Sequence, residues 1–498
     1  MNPELTLKDY ADALGELLVS QHGSLDTVIL SATDDSRKVA QGSLFCAIKG
    51  ERFDGHAFIP QAVAQGAVAI VLNEIPDDLP ASLPYLQVSD SYRAAGIVAE
   101  LAAGKPAQHF KVIAVTGTNG KTTTAYLLRE VFRTAGFPTA MIGTVEYDLG
   151  NGEKIAADRT TPTPFFLQNL FTEVYNNNVC YCVMEMSSHA IVQQRLGTIK
   201  VDGAIFTNLT QDHLDFHKTL ENYYQAKKLL FTRHLKPDAP VVINADDPFG
   251  QRLADELTHN LAGVDVISFS LKNLCTPVCV YVKDLKLSSK GTECALSFPD
   301  GNWLMTSPLA GLYNGYNLAG VAILAHALGM PYPTVKQALA TCLGAPGRLQ
   351  KVTSSHHKFT VFIDYAHTPD ALSNVIDTVR DITLGRVIVV FGCGGDRDRT
   401  KRPVMGKIVA DKADVCIITS DNPRTESPDA IISDILAGMP KDKVIIVDAD
   451  RRAAIRHAIQ TAKPGDSIII AVKGHEDYQE INVVKHHFSD YECVQALL

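Results

Sequence analysis

Apolar residues recur along this chain in short blocks of two alternating kinds. Runs of about four to eight aliphatic and β-branched residues, bounded by Gly, Asp, Asn or Ser, predict strands; longer blocks with apolar residues three or four apart predict helices. In the first segment SLFCAIKG (43–50), AVAIVLN (67–73) and PYLQVSD (84–90) read as strands. The helix SYRAAGIVAELAAG (91–104) then runs into Lys105 and Pro106, a helix stop and a linker. The second segment opens with the strand KVIAVTG (111–117), a loop and the helix TTTAYLLREVFRTAG (122–136), followed by strands VCYCVMEM (179–186), VDGAIFTNL (201–209) and APVVINAD (239–246). Strands alternating with helices predict a mostly parallel sheet covered on both faces. From Val264 to Leu309 polar and apolar positions alternate, which predicts antiparallel strands added to that sheet, before the helix YNLAGVAILAHALG (316–329). After the turn GAPGR (344–348), FTVFIDYA (359–366), RVIVVFG (386–392), DVCIITS (414–420), KVIIVDA (443–449) and SIIIAVKG (467–474) are strands separated by helical sequence, a Rossmann-like pattern. The expected fold class is α/β in three domains, 1–106, 107–343 and 344–498. No short repeat or low-complexity tract occurs, which excludes a solenoid.

Composition narrows the class further. With 498 residues, 46% of them hydrophobic and 20% charged, the chain is long enough for several packed domains and too apolar for disorder. A net charge of -9 without a basic cluster argues against nucleic acid as a partner, although an anionic small molecule needs only local positive groups. The start MNPELTLKDY lacks a secretory pattern, and the longest apolar stretches, VAILAHALGM and DSIIIAV, are too short to span a bilayer. The ten cysteines form no CxxC pair; Cys180 and Cys182 share a strand face, and Cys275 and Cys279 flank a proline. Reduced core thiols in a cytoplasmic protein are expected.

In open parallel sheets ligands collect at the carboxyl ends of strands. The polar clusters of the third segment fall there: Asp364-Tyr365-Ala366-His367, GCGGDRDRTKRP (392–403), SDNPRTE (420–426) and KGHEDYQ (473–479). The strongest chemical signal is Gly117-Thr118-Asn119-Gly120-Lys121-Thr122-Thr123, between a strand and a helix. Glycines let backbone N–H groups turn onto phosphate oxygens, and the helix N-terminus adds partial positive charge. Lys121 then reaches the terminal phosphates, and Thr122 or Thr123 offers a hydroxyl to Mg²⁺. Such a site also needs an acid for the metal, and Glu185, leaving the apolar strand VCYCVMEM, is the candidate. His213 in TNLTQDHLDFH (207–217) lies near another strand end; alone, it would more often be a structural histidine than a ligand.

The form GTNGKTT is characteristic of the Mur ligases and their relatives, the folylpolyglutamate synthetases. With MEMSSH, TNLTQDHLDFH, NADD, DYAHTP, GCGGDRDRTKRP, DNPRTE and KGHEDYQ in this order, the chain resembles the Mur ligases from about residue 34 to about residue 478. DNPR and the GHEDYQ region point to the members that add the third residue to a UDP-linked muropeptide. The resemblance implies an N-terminal UDP-binding domain, a central ATPase domain and a C-terminal domain that receives the amino acid. It implies Ser36 of DDSRKV at the uridine nucleotide, and Thr160, Thr161, Ser187, Gln193 and Arg195 at the muropeptide. Arg159 stands where members often carry an amide, and Val472 where they often carry Gly. Lys227 of QAKKLLF matches a family lysine that carries a carbamate and so becomes an anionic ligand for Mg²⁺, alongside Thr122, Glu185 and His213; taken alone it reads as an exposed helical lysine. Asn314 and Asn317, Arg348 and Asp364 match positions used around ATP. Arg397, Asp421, Asn422, Pro423, Arg424 and Glu476 match positions around the amino acid.

The implied reaction is an acid–amino-acid ligation. ATP phosphorylates the D-glutamate γ-carboxylate of UDP-N-acetylmuramoyl-L-alanyl-D-glutamate, and the amine of meso-2,6-diaminopimelate displaces phosphate, with Mg²⁺ as cofactor. Lys121, Glu185, His213 and Lys227 are the expected catalytic set, in a cytoplasmic enzyme expected to be a monomer. Arg424 carries the amino-acid choice, because a planar guanidinium pairs with the second carboxylate that lysine lacks. The competing readings are an L-lysine-adding homologue, a folylpolyglutamate synthetase, a P-loop nucleotide switch and a catalytically silent nucleotide-sugar binder.

Overall fold

A computed structural model describes residues 4–50, 54–260, 263–272, 280–298, 301–353, 356–440 and 445–498. The chain divides into two compact units: Met1–Lys121, Phe132–Ser268 and Ala327–Gly329 form the first; Thr122–Val131, Phe269–His326 and Met330–Leu498 form the second.

The first unit contains a five-stranded sheet in the order Leu18–His22, Tyr85–Val88, Ala67–Leu72, Ser43–Cys46, Ser31–Thr33, parallel except for its first strand. The period-two alternation of a strand sorts its side chains between two cores. Leu44 and Cys46 join Leu7, Tyr10, Leu14, Ala94 and Val98 of the helices Leu7–Leu14 and Ser91–Ala102. Phe45 points the other way, towards Ile59 and Ala62 of the helix Ile59–Ala64. The edge strands Leu18–His22 and Ser31–Thr33 were not legible as runs, because more than half of their positions are exposed or half-exposed.

The same unit holds strands in the order Lys154–Ala156, Glu146–Asp148, Thr139–Ile142, Tyr181–Glu185, Lys111–Thr116, Gly203–Phe206, Pro240–Asn244. The last five are parallel; four of them are the predicted apolar runs, and Thr139–Ile142 is a further strand that was not read from the sequence. Lys111–Thr116 is central and buried on both faces, which is why its sequence is continuously apolar rather than alternating. Its neighbours run in step with it: Met186 N–H donates to Val115 O at 2.8 Å and Thr207 N–H to Thr116 O at 3.0 Å. Three carboxyl ends, carrying Gly117, Glu185 and Thr207, therefore lie side by side.

In the second unit, Val280–Ser288, Gly291–Phe298 and Gly301–Ser307 form the expected antiparallel ribbon. The preceding strand Asp265–Ser270 differs from expectation: its end pairs parallel with Val280–Ser288, Phe269 opposite Val280 and Ser270 opposite Tyr281. The helix Leu312–Ala327 starts earlier than its apolar run, so Asn314 and Asn317 lie inside it. The Rossmann-like sheet runs Gln350–Lys351, Thr360–Asp364, Ser467–Ala471, Val387–Phe391, Val415–Ile418, Ile445–Val447, parallel but for the short first strand. A hairpin of Tyr478–Ile481 and Val484–His487 extends beyond the KGHEDYQ motif.

The eight described cysteines are free thiols, and all but Cys180 are buried; Cys180 precedes the strand that holds Cys182. Cys275 and Cys279 lie outside the described residues. Among the described residues no helix is long and apolar enough to cross a membrane.

Candidate functional site

In the first unit the phosphate loop is braced from behind by the TNLT segment that ends the neighbouring strand. Thr118 N–H donates to Asn208 O at 2.8 Å, Asn119 N–H to Asn208 Oδ1 at 3.0 Å, and Thr207 Oγ1 to Asn119 O at 2.6 Å. Gly117 adopts φ +148°, and a Cβ there would stand 1.9 Å from Thr207 Oγ1, so the loop has no room for a side chain at that turn. Lys121 Nζ curls back to donate to Gly117 O at 3.0 Å and Thr118 O at 2.8 Å.

Lys227 Nζ donates to the same Gly117 carbonyl at 2.8 Å and lies 4.5 Å over the Tyr223 ring. Its helix, Leu220–Arg233, packs this face inward, and Lys227 is only 1% exposed. Burial, with the Lys121 charge beside it, holds its amine well below the ordinary lysine range. Glu185 is fully buried at its strand end. Thr144 donates to it twice, N–H to Oε1 at 2.8 Å and Oγ1 to Oε2 at 3.1 Å. His213 caps a short helix at φ +51°, is half-exposed beside Asp212 at 3.5 Å, and lies 5.0 Å from the His189 ring. His217, behind it, donates to or accepts from Ser188 Oγ at 2.8 Å; burial and the neighbouring His189, Lys227 and His213 pull its pKa down to about 4. Among the described residues no three His, Cys, Asp or Glu side chains gather tightly enough to hold a metal by themselves. A divalent ion here would draw on Glu185, His213 and a derivatised Lys227 together with phosphate oxygens, the habit of Mg²⁺ rather than of a caged metal.

The expected muropeptide residues cluster around the same strand end. Thr161 Oγ1 donates to Glu185 O at 2.8 Å and accepts from Ser187 N–H at 3.1 Å; Ser187 Oγ in turn caps the helix Ser188–Val192. Arg195 Nη1 donates to Thr161 O at 2.5 Å, and its Nε and Nη2 grip Gln193 Oε1 at 3.1 and 2.7 Å. Thr160 Oγ1 reaches Thr144 Oγ1 at 3.1 Å. Arg159 is held by its backbone, through the Tyr147 hydroxyl, while its side chain meets Asp158 at 3.4 Å. Ser36 lies apart, buried and donating to Gln61 Oε1 at 3.0 Å.

The turn that carries Gln193 and Arg195 is seated on the helix Ser91–Ala102 through two glycines. A Cβ on Gly96 would stand 2.7 Å from Gln194 O and 2.8 Å from Gly197 Cα. Buried Glu100 completes the seat, accepting from Thr198 N–H at 2.8 Å and Thr198 Oγ1 at 2.7 Å. Gly96→Ala therefore has to move backbone. It is expected to lower kcat/KM for the UDP-linked substrate that the resemblance implies by on the order of 10²-fold, read in steady-state kinetics; an unchanged kcat/KM would refute it.

In the second unit Thr122 and Thr123 are buried in the first turn of the helix Lys121–Thr134. Asn314 Nδ2 donates to Ala310 O at 2.8 Å, and Asn317 bridges Asn314 Oδ1 at 3.2 Å and the Thr124 hydroxyl at 3.3 Å. The Asp364 carboxylate accepts from Leu349 N–H at 2.6 Å and Ala366 N–H at 2.8 Å; burial pushes its pKa up against the pull of Arg348. Arg348 itself lies 5.0 Å over the Tyr365 ring.

The DNPR and GGDRD loops meet backbone to backbone: a Cβ on Gly395 would stand 1.9 Å from Pro423 O. Arg424 Nη1 donates to Gly395 O at 2.7 Å, its Nε lies 3.3 Å from Glu480, and its backbone at φ +53° is pinned by the hairpin, N–H to Glu480 O at 3.0 Å. Asn422 Nδ2 donates to Glu476 Oε2 at 2.8 Å, and Asp421 O accepts from Gln479 Nε2 at 2.7 Å. Arg397 is exposed at the rim, its Cγ near Gly394. Val472 adopts φ +91°. That conformation costs a β-branched residue about 1–3 kcal/mol, a loss matched by about 1.5–3 kcal/mol from burying the valine side chain, so the position tolerates the departure from Gly.

Three groups escaped sequence reasoning. Thr144 orients Glu185 from a strand end with no motif. Arg402, wholly buried, ties Glu426, Asp434 and Gly394 O together at 2.8–3.2 Å and so locks the two loops; it holds the Glu426 carboxylate down at about 2. Lys473, wholly buried, stands under Asp421, Asn422 and Glu476. Arg402 and Lys473 lay inside quoted motifs, yet nothing in a motif says which cation points inward.

Comparison with known proteins gives one consistent result. Residues 32–103 match the Mur ligase family catalytic domain, 115–325 the Mur ligase middle domain and 347–474 the Mur ligase glutamate ligase domain. A Clostridium botulinum UDP-N-acetylmuramoyl-L-alanyl-D-glutamate–2,6-diaminopimelate ligase is 41% identical over 93% of this chain and 94% of its own. The Synechococcus elongatus protein of the same name is 42% identical over 97% and 96%. A solved structure of a ligase of that name superposes with TM-score 0.73 and 31% identity, covering 99% of this chain and 98% of the other.

Proposed function

This chain belongs to the Mur ligase family of ATP-dependent ligases, and from that premise we propose that it adds meso-diaminopimelate to the D-glutamate γ-carboxylate of UDP-N-acetylmuramoyl-L-alanyl-D-glutamate, in cytoplasmic peptidoglycan synthesis. The observation that carries the reading is the shared Gly117 carbonyl, which draws Lys121 and the buried Lys227 amine to one point beside the phosphate loop. Residues 1–106 would hold the uridine nucleotide near Ser36, 107–343 the ATP and 344–498 the amino acid.

A carboxylate is a poor electrophile. Its oxygen attacks the terminal phosphorus of ATP, ADP leaves, the amino-acid amine attacks the acyl carbon, and phosphate departs with the amine losing a proton. The loop N–H groups and Lys121 hold the phosphates and balance charge as the phosphoryl group moves. Thr160, Thr161, Ser187, Gln193 and Arg195 orient the γ-carboxylate, which converts an encounter into a positioned attack. Mg²⁺, when bound, supplies neutralisation of the phosphate charge, and Thr122, Glu185, His213 and Lys227 are the groups that would hold it. The residues fit: Glu185 is oriented by Thr144, and burial favours the uncharged Lys227 amine, the form that takes up CO₂ as a carbamate.

The test offers purified protein ATP, the UDP-linked dipeptide and equal meso-diaminopimelate and L-lysine, and reads the product by mass. Diaminopimelate product should dominate. Dominant lysine product would overturn the choice of amino acid, and ATP hydrolysis without either acceptor would overturn ligation.

A further inference from the structure

Lys473 is completely buried at the start of the segment carrying Glu476, and the reaction outlined above gives it no part. Its ammonium donates to Asn422 Oδ1 at 3.2 Å and faces two carboxylates, Glu476 at 3.5 Å and Asp421 at 3.7 Å. The Tyr478 ring lies 5.6 Å away. Asp421 Oδ1, buried, has no hydrogen-bond partner among the described residues. Arg424 Nη1 and Asp421 Oδ2 both lie beside Gly394, and the guanidinium is held by Gly395 O and Glu480. Two carboxylates this close, removed from water, repel each other, and a cation between them is what lets both stay in place.

We propose that Lys473 is a positioning residue for amino-acid binding: its ammonium holds the Asp421 and Glu476 carboxylates side by side, so that with Arg424 they receive a ligand end bearing both an ammonium and a carboxylate. This deepens, and rests on, the assignment of this cluster as the amino-acid site. Glu476 is the sensitive member. Burial and Asp421 push its pKa up, and Lys473 with the Asn422 hydrogen bond opposes them. Tyr365, Tyr478 and the charge of buried Arg451 are the other groups that face it.

The full-length Lys473→Met protein should show the acid limb of kcat/KM for meso-diaminopimelate moved up by at least about one pH unit, a tenfold loss below the midpoint. The pH profile of KM for the UDP-linked dipeptide should stay where it is, and Lys473→Arg should restore the limb. Asp421→Asn removes the like charge and should move the limb the other way, to lower pH; it carries the test if the methionine variant does not fold. An acid limb unmoved by these changes overturns the proposal. Glu476→Gln separates the two readings. Wild-type affinity for the amino acid in that variant would sink the site assignment itself, whereas impaired affinity with an unmoved limb in Lys473→Met would sink Lys473 alone.

Discussion

Lys121→Ala should lose at least about 10³-fold of the phosphate release that depends on both the UDP-linked dipeptide and the amino acid. The charge that develops on the transferring phosphoryl group needs a fixed cation, and water entering the gap is neither fixed nor charged. The fold has little at stake: Lys121 donates to two carbonyls of its own loop, and Asn119, Thr207 and Asn208 brace that loop without it. The thermal midpoint should therefore move by only a few degrees, and binding of the UDP-linked dipeptide by calorimetry should survive. Activity within tenfold of wild type would remove Lys121 from the phosphoryl-transfer step.

Arg424→Ala should abolish most of the preference for meso-diaminopimelate over L-lysine, a preference expected at roughly 10⁴-fold in the unmodified protein. The two amino acids differ by one carboxylate, and that carboxylate can pair with the guanidinium in place of Glu480, an interaction that lysine cannot make. The loss should fall on diaminopimelate, with kcat/KM for lysine changing little, because the variant removes an attraction rather than adding one. The backbone at φ +53° is held by main-chain hydrogen bonds to Glu480 and Asn482, which the alanine variant keeps, so the loop should keep its course. Rates for each amino acid separately give the ratio, and an unaltered ratio would show that Arg424 does not read the distal carboxylate.

The sequence alone determined the strands that are buried on both faces, Thr139–Ile142 excepted, and the phosphate loop. Continuous apolar runs such as Val112–Val115 and Ile468–Ile470 can only be interior, and a Gly-Lys-Thr turn between strand and helix has little other use. The local order of residues settles both. Only the tertiary structure decided which polar residues face inward. Lys227 sits in a helix whose sequence reads as exposed, and is buried because its face meets the Gly117 carbonyl, which lies 110 positions away in the chain. Glu185 owes its orientation to Thr144, 41 positions away, and Lys473 its partners to Asn422, 51 positions away. A side chain's charge state and reach depend on groups brought near by folding, and spacing along the chain carries no record of them; the same physics kept the edge strands Leu18–His22 and Ser31–Thr33 out of sight, since a strand half in water has no apolar run to show.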